Sequence, residues 1–176
     1  MDWANMPQVK KFTPMNDFIN KFGKPLFKMG SRPVYYIGNG FLVSYSPKIF
    51  RVENNSRVEY GDEGEYALSV YYFVKKQDLE AHFKIKQEQY NFESDELGGV
   101  FEIIDTIGVN STYEQVTSYF RQKSSVAYYQ EGQTRAFNNG KFEFLNNFVT
   151  WGSYTFFFFG KSKKTKVSGF EFTFTE

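Results

Sequence analysis

Side chains able to do acid–base, nucleophilic or metal chemistry are few and scattered along this chain. His82 is the one histidine and cysteine is absent, so neither a zinc site nor a thiol nucleophile is indicated. Apolar residues alternate from Leu79 to Ile85 and predict a strand whose opposite, solvated face carries His82. No phosphate-binding glycine loop and no Gly-x-Ser-x-Gly motif occurs. The sequence therefore predicts a protein that is not an enzyme and that holds no metal and no cofactor.

Two charged segments each have a functional and a structural interpretation. Carboxylates cluster in a long polar loop over residues 47–65, without the spacing of a calcium-binding loop. We interpret it as a solvated loop, or as one that contacts a partner through Glu59, Tyr60 and Asp62. The basic turn at 161–166 either contacts phosphate or an acidic partner, or protects a sheet edge with lysines, which we favour.

Aromatic residues make up 21% of the chain, with 22 Phe and 13 Tyr, more than one core of this size normally absorbs. A sheet with helices on one side buries only one face, so rings on the other face are expected to meet a partner. Tyr and Trp are enriched at such interfaces. The predicted partner-binding residues are Tyr35, Tyr71, Phe73, Tyr129, Trp151, Phe157 and Phe159. Replacing Tyr71 and Phe73 by Ala is accordingly expected to leave folding nearly intact.

Charge and hydropathy exclude some classes of partner. The 21 Lys and Arg nearly balance the 20 Asp and Glu, giving a net charge of +1, so no long-range field attracts nucleic acid. No apolar run approaches the roughly 20 residues that span a bilayer. The start of the chain lacks the pattern of a signal peptide. Location stays open between the cytoplasm and export of a bacterial protein whose signal has been removed.

Two segments of the chain share one order of elements. A helix is predicted from Thr13 to Gly23, and a second begins at a capping box formed by Ser111 and Glu114. Each is followed by a hairpin with an Asn-Gly turn and by two further strands. These strands are predicted at 33–37, 41–45, 66–74 and 79–85 in the first segment, and at 134–137, 141–145, 154–159 and 170–174 in the second.

This repetition predicts an α+β protein with two tandem units. Each unit would be one short helix plus a four-stranded antiparallel sheet, with the helices packed on one face. The first unit would span residues 1–90 and include the 47–65 loop, and the second would span 100–176. An acidic connector at 91–99 would join them, and residues 100–104 would form an extra strand or an extended linker.

The tandem pattern resembles the β-lactamase inhibitor protein fold, and the single unit resembles the small lipoprotein of outer-membrane barrel assembly. The resemblance rests on the Ser111–Phe120 helix with its Gly108–Asn110 lead-in, on the Asn139–Gly140 hairpin, and on the matching Thr13–Gly23 helix. It implies a concave sheet face that grips another protein. Inhibitory members of that family carry a disulfide in the units, whereas this chain has no cysteine, and no contact residue is transferred.

The leading functional hypothesis is a non-catalytic, bacterial protein-binding module of inhibitor or immunity type, with an enzyme or a toxin as its partner. The main alternative is a protein that binds a small hydrophobic ligand or lipid in an aromatic cavity. A nucleic-acid binder that stacks bases on Tyr and Phe is disfavoured by the charge balance. A purely structural homodimer is the remaining alternative.

Overall fold

The structure is a computed structural model that describes residues 12–30, 32–46, 49–53, 56–60, 65–85, 92, 94–138, 141–160 and 162–173. The helices in this part are α1 (Met15–Phe22), α2 (Lys76–Phe83) and α3 (Tyr113–Arg121). The strands are β1 (Phe12–Pro14), β2 (Phe27–Met29), β3 (Arg32–Gly38), β4 (Phe41–Ser46), β5 (Ile49–Glu53), β6 (Ser56–Tyr60), β7 (Glu65–Phe73), β8 (Glu102–Ile104), β9 (Ile107–Gly108), β10 (Tyr129–Asn138), β11 (Lys141–Trp151), β12 (Tyr154–Phe158) and β13 (Gly169–Thr173).

One antiparallel sheet organises the chain, in the order β10-β11-β12-β13-β7-β4-β3-β2. It is the sheet-rich α+β architecture that the sequence predicts. The strands from β10 to β13 form one meander, and β2, β3, β4 and β7 form another. The two meanders meet where β13 pairs with β7, for example at Phe170 opposite Tyr72. Strand β1 pairs with the start of β7.

Both predicted strand pairings are confirmed, whereas the Asn139–Gly140 turn predicted for the second hairpin lies outside the described residues. Strands β3 and β4 pair around Asn39 and Gly40, whose φ angles of 51° and 82° are the positive values that a tight turn needs. Strands β10 and β11 pair as far as Asn138 opposite Lys141. The strands predicted at 66–74, 154–159 and 170–174 correspond to β7, β12 and β13, with ends that differ by about a residue.

Local signals also account for α1 and α3. Helix α1 ends before Gly23, which has a φ of 72° and whose N–H donates to the Ile19 carbonyl at 2.8 Å. The capping box of α3 lies one residue later than predicted. Thr112 accepts from the Gln115 N–H at 3.3 Å, and the Gln115 side chain accepts from the Thr112 N–H at 2.8 Å.

The strand predicted at 79–85 is wrong, because these residues belong to α2 and the turn after it. The apolar residues there fit two periods, and the helical one prevails: Leu79 and Phe83 are four residues apart and are both buried. Helix α2 stops at Lys84, which adopts the left-handed conformation with φ 54°. The outer strand beside the β3–β4 hairpin is instead β2.

Helices cover both faces of the sheet. The two predicted helices, α1 and α3, pack against one core through Phe22 and Phe120, whereas α2, which was not predicted as a helix, covers the other face. Consecutive residues of β7 point to opposite sides. Tyr72 belongs to the same core as Phe120 of α3, and we call this side of the sheet the α3 face. Tyr71 and Phe73 lie in a second core with Leu79 of α2, which we call the α2 face.

Segments predicted as loops or connectors contain ordered structure. The 47–65 segment includes the β5–β6 hairpin rather than a plain loop. In the acidic connector, the Leu97 N–H donates to the Val74 carbonyl at 2.8 Å, and the Leu97 side chain packs against the α2-face core. Residues 102–104 form β8, which pairs with β9, in agreement with the extra strand expected there.

Candidate functional site

The predicted partner-binding residues are divided between the two faces of the sheet. Cross-strand pairing places three of them, Tyr35, Tyr129 and Trp151, on the α3 face, in one row with two further aromatic residues and two valines. The row consists of Tyr129, Trp151, Tyr154, Phe172, Val70, Val43 and Tyr35. The other four lie on the α2 side. No single face of the sheet therefore carries all seven residues.

Three of the predicted residues form the core under α2. Tyr71, Phe73 and Phe157 are 5%, 0% and 6% exposed, because Leu79 and Phe83 of α2 close over them. Phe159 is half-buried against the same cluster. The expectation of an open aromatic face at these residues is therefore wrong, because α2 covers this part of the second face.

His82 belongs to this core and is not a solvated strand residue. Its imidazole lies 4.2 Å from Phe157 and 5.3 Å from Phe73, measured between ring centroids. Burial lowers the pKa of His82 to about 4. The ring is consequently neutral near pH 7 and packs as an aromatic group.

A polar pair lies at the edge of the α2-face core. Glu171 of β13 is directly opposite Tyr71 of β7, and the Tyr71 hydroxyl donates a hydrogen bond to its carboxylate. Burial raises the pKa of Glu171 despite hydrogen bonds from Tyr71, Ser69 and Thr173. The shared hydrogen bonds explain how a half-buried carboxyl is tolerated on this face.

Tyr35 lies near the opposite end of the sheet from Tyr129. It is 3% exposed and belongs to the α3-face core. Tyr35 therefore contributes to packing and not to an accessible surface.

Tyr129 and Trp151 remain partly exposed and lie opposite each other on β10 and β11. The Trp151 ring stacks on Phe120 of α3, with centroids 4.9 Å apart. Its indole Nε1–H donates to the Lys123 carbonyl at 3.5 Å. One side of the indole is thus anchored, which leaves the side chain half-buried at this corner of the molecule.

The turn between α3 and β10 presents two more apolar side chains at the same corner. Val126 is 77% exposed and Tyr128 is 64% exposed. The turn is held by hydrogen bonds from the Val126 N–H to the Lys123 carbonyl at 3.0 Å and from the Gly152 N–H to the Tyr128 carbonyl at 2.8 Å. We call Val126, Tyr128, Tyr129 and Trp151 the corner patch. It runs around the start of β10, because the Tyr128 hydroxyl donates to the Gln130 side chain at 2.7 Å and so lies on the opposite side of the strand from Tyr129. Our sequence reasoning missed its first two members, although the apolar Val-Ala-Tyr-Tyr run at 126–129 directly follows a polar turn.

An ion-pair network holds Tyr129 in its position in the corner patch. Arg121 contacts the Glu131 carboxylate twice, through Nε at 2.6 Å and Nη2 at 2.8 Å, and the Tyr113 hydroxyl donates to it at 3.1 Å. The Tyr129 hydroxyl donates to the same carboxylate. Burial opposes ionisation of Glu131, but these donors outweigh it and hold its pKa below the usual range.

A second charged group flanks the patch on its α3 side. Lys123 Nζ lies 3.1 Å from the Asp105 carboxylate and 4.3 Å from the centroid of the Tyr119 ring. The Tyr119 hydroxyl donates to Asp105. Hydrogen bonds from Tyr119 and Lys123 lower the pKa of Asp105. The corner therefore combines exposed apolar side chains with a rim of paired charges.

A separate groove of about 270 Å³ lies at the N-terminus of α2. Its lining includes Phe159, Lys75, Lys166 and Asp78. Burial raises the pKa of Asp78 to about 6, although the nearby Lys75 acts in the opposite direction. Phe159 is thus the predicted binding residue that faces a groove.

The basic turn has a structural role. The Thr165 carbonyl accepts from the Tyr113 N–H at 2.8 Å, and the Lys163 carbonyl accepts from the Glu114 N–H at 3.0 Å. Its backbone therefore satisfies donors at the start of α3. Of the predicted loop contacts, Glu59 and Tyr60 belong to β6, whereas Asp62 lies outside the described residues.

Within the described ranges, no three His, Cys, Asp or Glu side chains come together as metal ligands. No helix in this part of the chain has the length and apolar character needed to cross a membrane. Comparison of the chain with models of protein families, with curated proteins and with solved structures finds no match.

Proposed function

We propose that the protein is a non-catalytic binding module, of inhibitor or immunity type, that grips a partner protein at the corner patch. This keeps the class of function that the sequence indicates and moves the contact surface from the sheet face to the corner. The observation that carries the proposal is the exposure of Val126 and Tyr128, the highest among the large apolar side chains whose burial the structure describes. They lie in the turn that the Gly152 N–H bond to the Tyr128 carbonyl holds next to Trp151 along the chain.

The composition and rigidity of the corner patch support this role. Aromatic residues and Arg supply much of the binding energy at protein interfaces, and preorganised side chains lose less entropy on binding. Trp151 is anchored by Phe120, and Tyr129 is held by Glu131. A partner would therefore meet rings that are already positioned.

The packing of the aromatic residues favours this function over a hydrophobic-ligand cavity. On the α3 face, Phe120 stacks with Phe156 at 5.6 Å, and Tyr72 stacks with Phe170 at 5.6 Å. On the α2 face, Phe73 and Phe83 are 5.7 Å apart. Rings at these distances fill the interior with each other, so the aromatic surplus is used in two cores.

We also infer that the chain arose as two tandem units, as in the β-lactamase inhibitor protein fold. Helix α1 precedes the β2-β3-β4-β7 meander, and α3 precedes the β10-β11-β12-β13 meander. Phe22 of α1 packs against the same core as Phe120 of α3. On this view α2 and the β5–β6 hairpin are additions to the first unit.

Capture experiments test the proposed function. The immobilised protein is incubated with extract of the organism that carries the gene, alongside Val126→Ser/Tyr128→Ser. Val100→Ser is the matched control, since Val100 is 57% exposed but lines the groove at α2. A partner should be retained by the wild type and by the control and lost by the double variant. Equal retention by all three proteins, or no partner at all, would refute the proposal.

A further inference from the structure

Strand β10 is an edge of the main sheet and is built differently from the opposite edge. It has ten residues, whereas β2 has three. In the described part of the chain, β10 pairs only with β11. A bulge between Thr134 and Arg135 shifts the register before pairing resumes, so the uninterrupted edge runs from residue 129 to 134.

The direction of the backbone shows which groups line this edge. The Tyr128 carbonyl accepts from the Gly152 N–H at 2.8 Å and therefore points toward the β11 side. Backbone groups alternate in direction along a strand, so those of Gln130 and Gly132 also point to β11. The N–H and C=O groups of Tyr129 and Glu131 consequently point outward.

Side chains next to the edge leave room for an additional strand and offer it a contact. Gly132 has no side chain, and a Cβ there would stand 2.3 Å from Cζ of Phe148, so the half-buried Phe148 ring covers Gly132 on the α2 face. On the α3 face, Glu131 is held by Arg121 and Tyr129. On the α3 face the edge is therefore held by hydrogen bonds. On the α2 face it offers the Phe148 ring next to the exposed Gln130, whose side chain accepts from the Tyr128 hydroxyl at 2.7 Å.

We propose that β10 receives an extended segment of the partner protein as an added strand. This inference rests on the proposed function and specifies the partner: about five residues in extended conformation, with an apolar side chain that packs on Phe148. Alternating outward donors and acceptors are matched by the backbone of another strand. A second copy of the chain fits less well, because symmetric pairing of β10 brings two Glu131 carboxylates to nearby positions on one face.

A pair of variants at one residue isolates the backbone contact. Glu131→Pro and Glu131→Ala both lose the carboxylate, but only the proline loses the outward N–H, and proline is tolerated where an edge N–H faces solvent. The probe is a peptide selected on the wild-type protein from a displayed library of short random sequences. Its affinity for Glu131→Pro should be about tenfold weaker than for Glu131→Ala. Equal affinity would overturn the proposal.

A second measurement does not depend on the proline variant folding. The selected peptide is methylated at each backbone nitrogen in turn, and strand addition predicts lost binding at alternate positions. No selectable peptide, or loss without alternation, would overturn the proposal. Dimerisation that Glu131→Pro abolishes would overturn it in favour of a second copy. The two proposals can also be separated. If the Glu131→Pro variant still captures the partner but Val126→Ser/Tyr128→Ser does not, the strand-addition proposal is wrong while the proposed function is supported.

Discussion

The imidazole of His82 lies against the ring of Phe157, with ring centroids 4.2 Å apart. His82 also packs at 4.8 Å on Phe83, its neighbour in α2. The one residue with an ordinary pKa near neutrality is thus enclosed by aromatic rings. Burial lowers its pKa to about 4, which couples the α2 face to pH.

His82 should make the protein less stable in mild acid. The unfolded chain takes up a proton near pH 6.5, whereas the folded protein does so only near pH 4. Unfolding is therefore favoured progressively as the pH falls through this window, and His82 has no effect above it. At pH 5 the loss should be about 2 kcal/mol relative to pH 7.5. Urea unfolding of the wild type and of His82→Phe at both pH values measures it, and equal pH dependence would contradict the assignment.

Asp78 acts in the opposite direction within the same window and needs its own control. Its folded pKa is raised to about 6, so the folded protein binds a proton more readily than the unfolded chain does. The contribution of Asp78 is most favourable in acid and is lost as the pH rises toward 6. Asp78→Asn should therefore steepen the loss of unfolding free energy as the pH falls. In the double variant Asp78→Asn/His82→Phe, the unfolding free energy should depend less on pH than in Asp78→Asn alone.

Replacing Tyr71 and Phe73 together by Ala should severely destabilise the protein. Both side chains are buried beneath Leu79, and truncation of a buried aromatic side chain typically costs about 3–5 kcal/mol. We expect the double variant to be unfolded or to melt far below the wild type in circular dichroism. Gln77→Ala on the exposed side of α2 should change the melting temperature little. A stable double variant would mean that α2 does not close this face.

The sequence was sufficient for strands with one compatible period. Residues 33–45 alternate around Asn39–Gly40 and form the predicted hairpin. It was insufficient at 79–85, where Leu79 and Phe83 fit both a strand and a helix, and tertiary burial decides between the two. Because of this ambiguity the second face was predicted to be open, whereas Phe83 of helix α2 packs on Tyr71 and covers it.

Of the candidate site, Tyr129 and Trp151 could be predicted from residue type because Tyr and Trp are common at interfaces. Val126 and Tyr128 could not, because a turn residue's exposure depends on where the chain leaves the sheet. Here the turn is fixed by the hydrogen bond from the Gly152 N–H to the Tyr128 carbonyl, a contact between distant parts of the chain. The sequence also could not predict which residues share a row across the sheet, because the pairing of β13 with β7 joins strands that are far apart in the chain.

Gly169 should not tolerate a side chain. A Cβ there would stand 2.3 Å from the Tyr72 carbonyl oxygen and 2.6 Å from Cδ1 of Phe73. Because the first of these atoms is backbone, Gly169→Ala should push β13 away from β7 and cost about 1–3 kcal/mol. Gly99→Ala is the control, since nothing lies within 4 Å of a Cβ at that position. Chemical denaturation of both variants tests this, and similar losses would contradict the tight contact.

Removing the cap of α3 should have a moderate effect that depends on the residue chosen. Thr112→Ala deletes the oxygen that accepts from the Gln115 N–H and should cost about 1 kcal/mol in the free energy of unfolding. Ser118→Ala, at an exposed position of the same helix, should be neutral or slightly stabilising, because Ala has the higher helix propensity. Urea unfolding distinguishes the two. If Ser118→Ala lowered the unfolding free energy as much as Thr112→Ala, loss of the cap would not explain the effect. The stability of α3, which supports Trp151 through Phe120, would then depend mainly on packing.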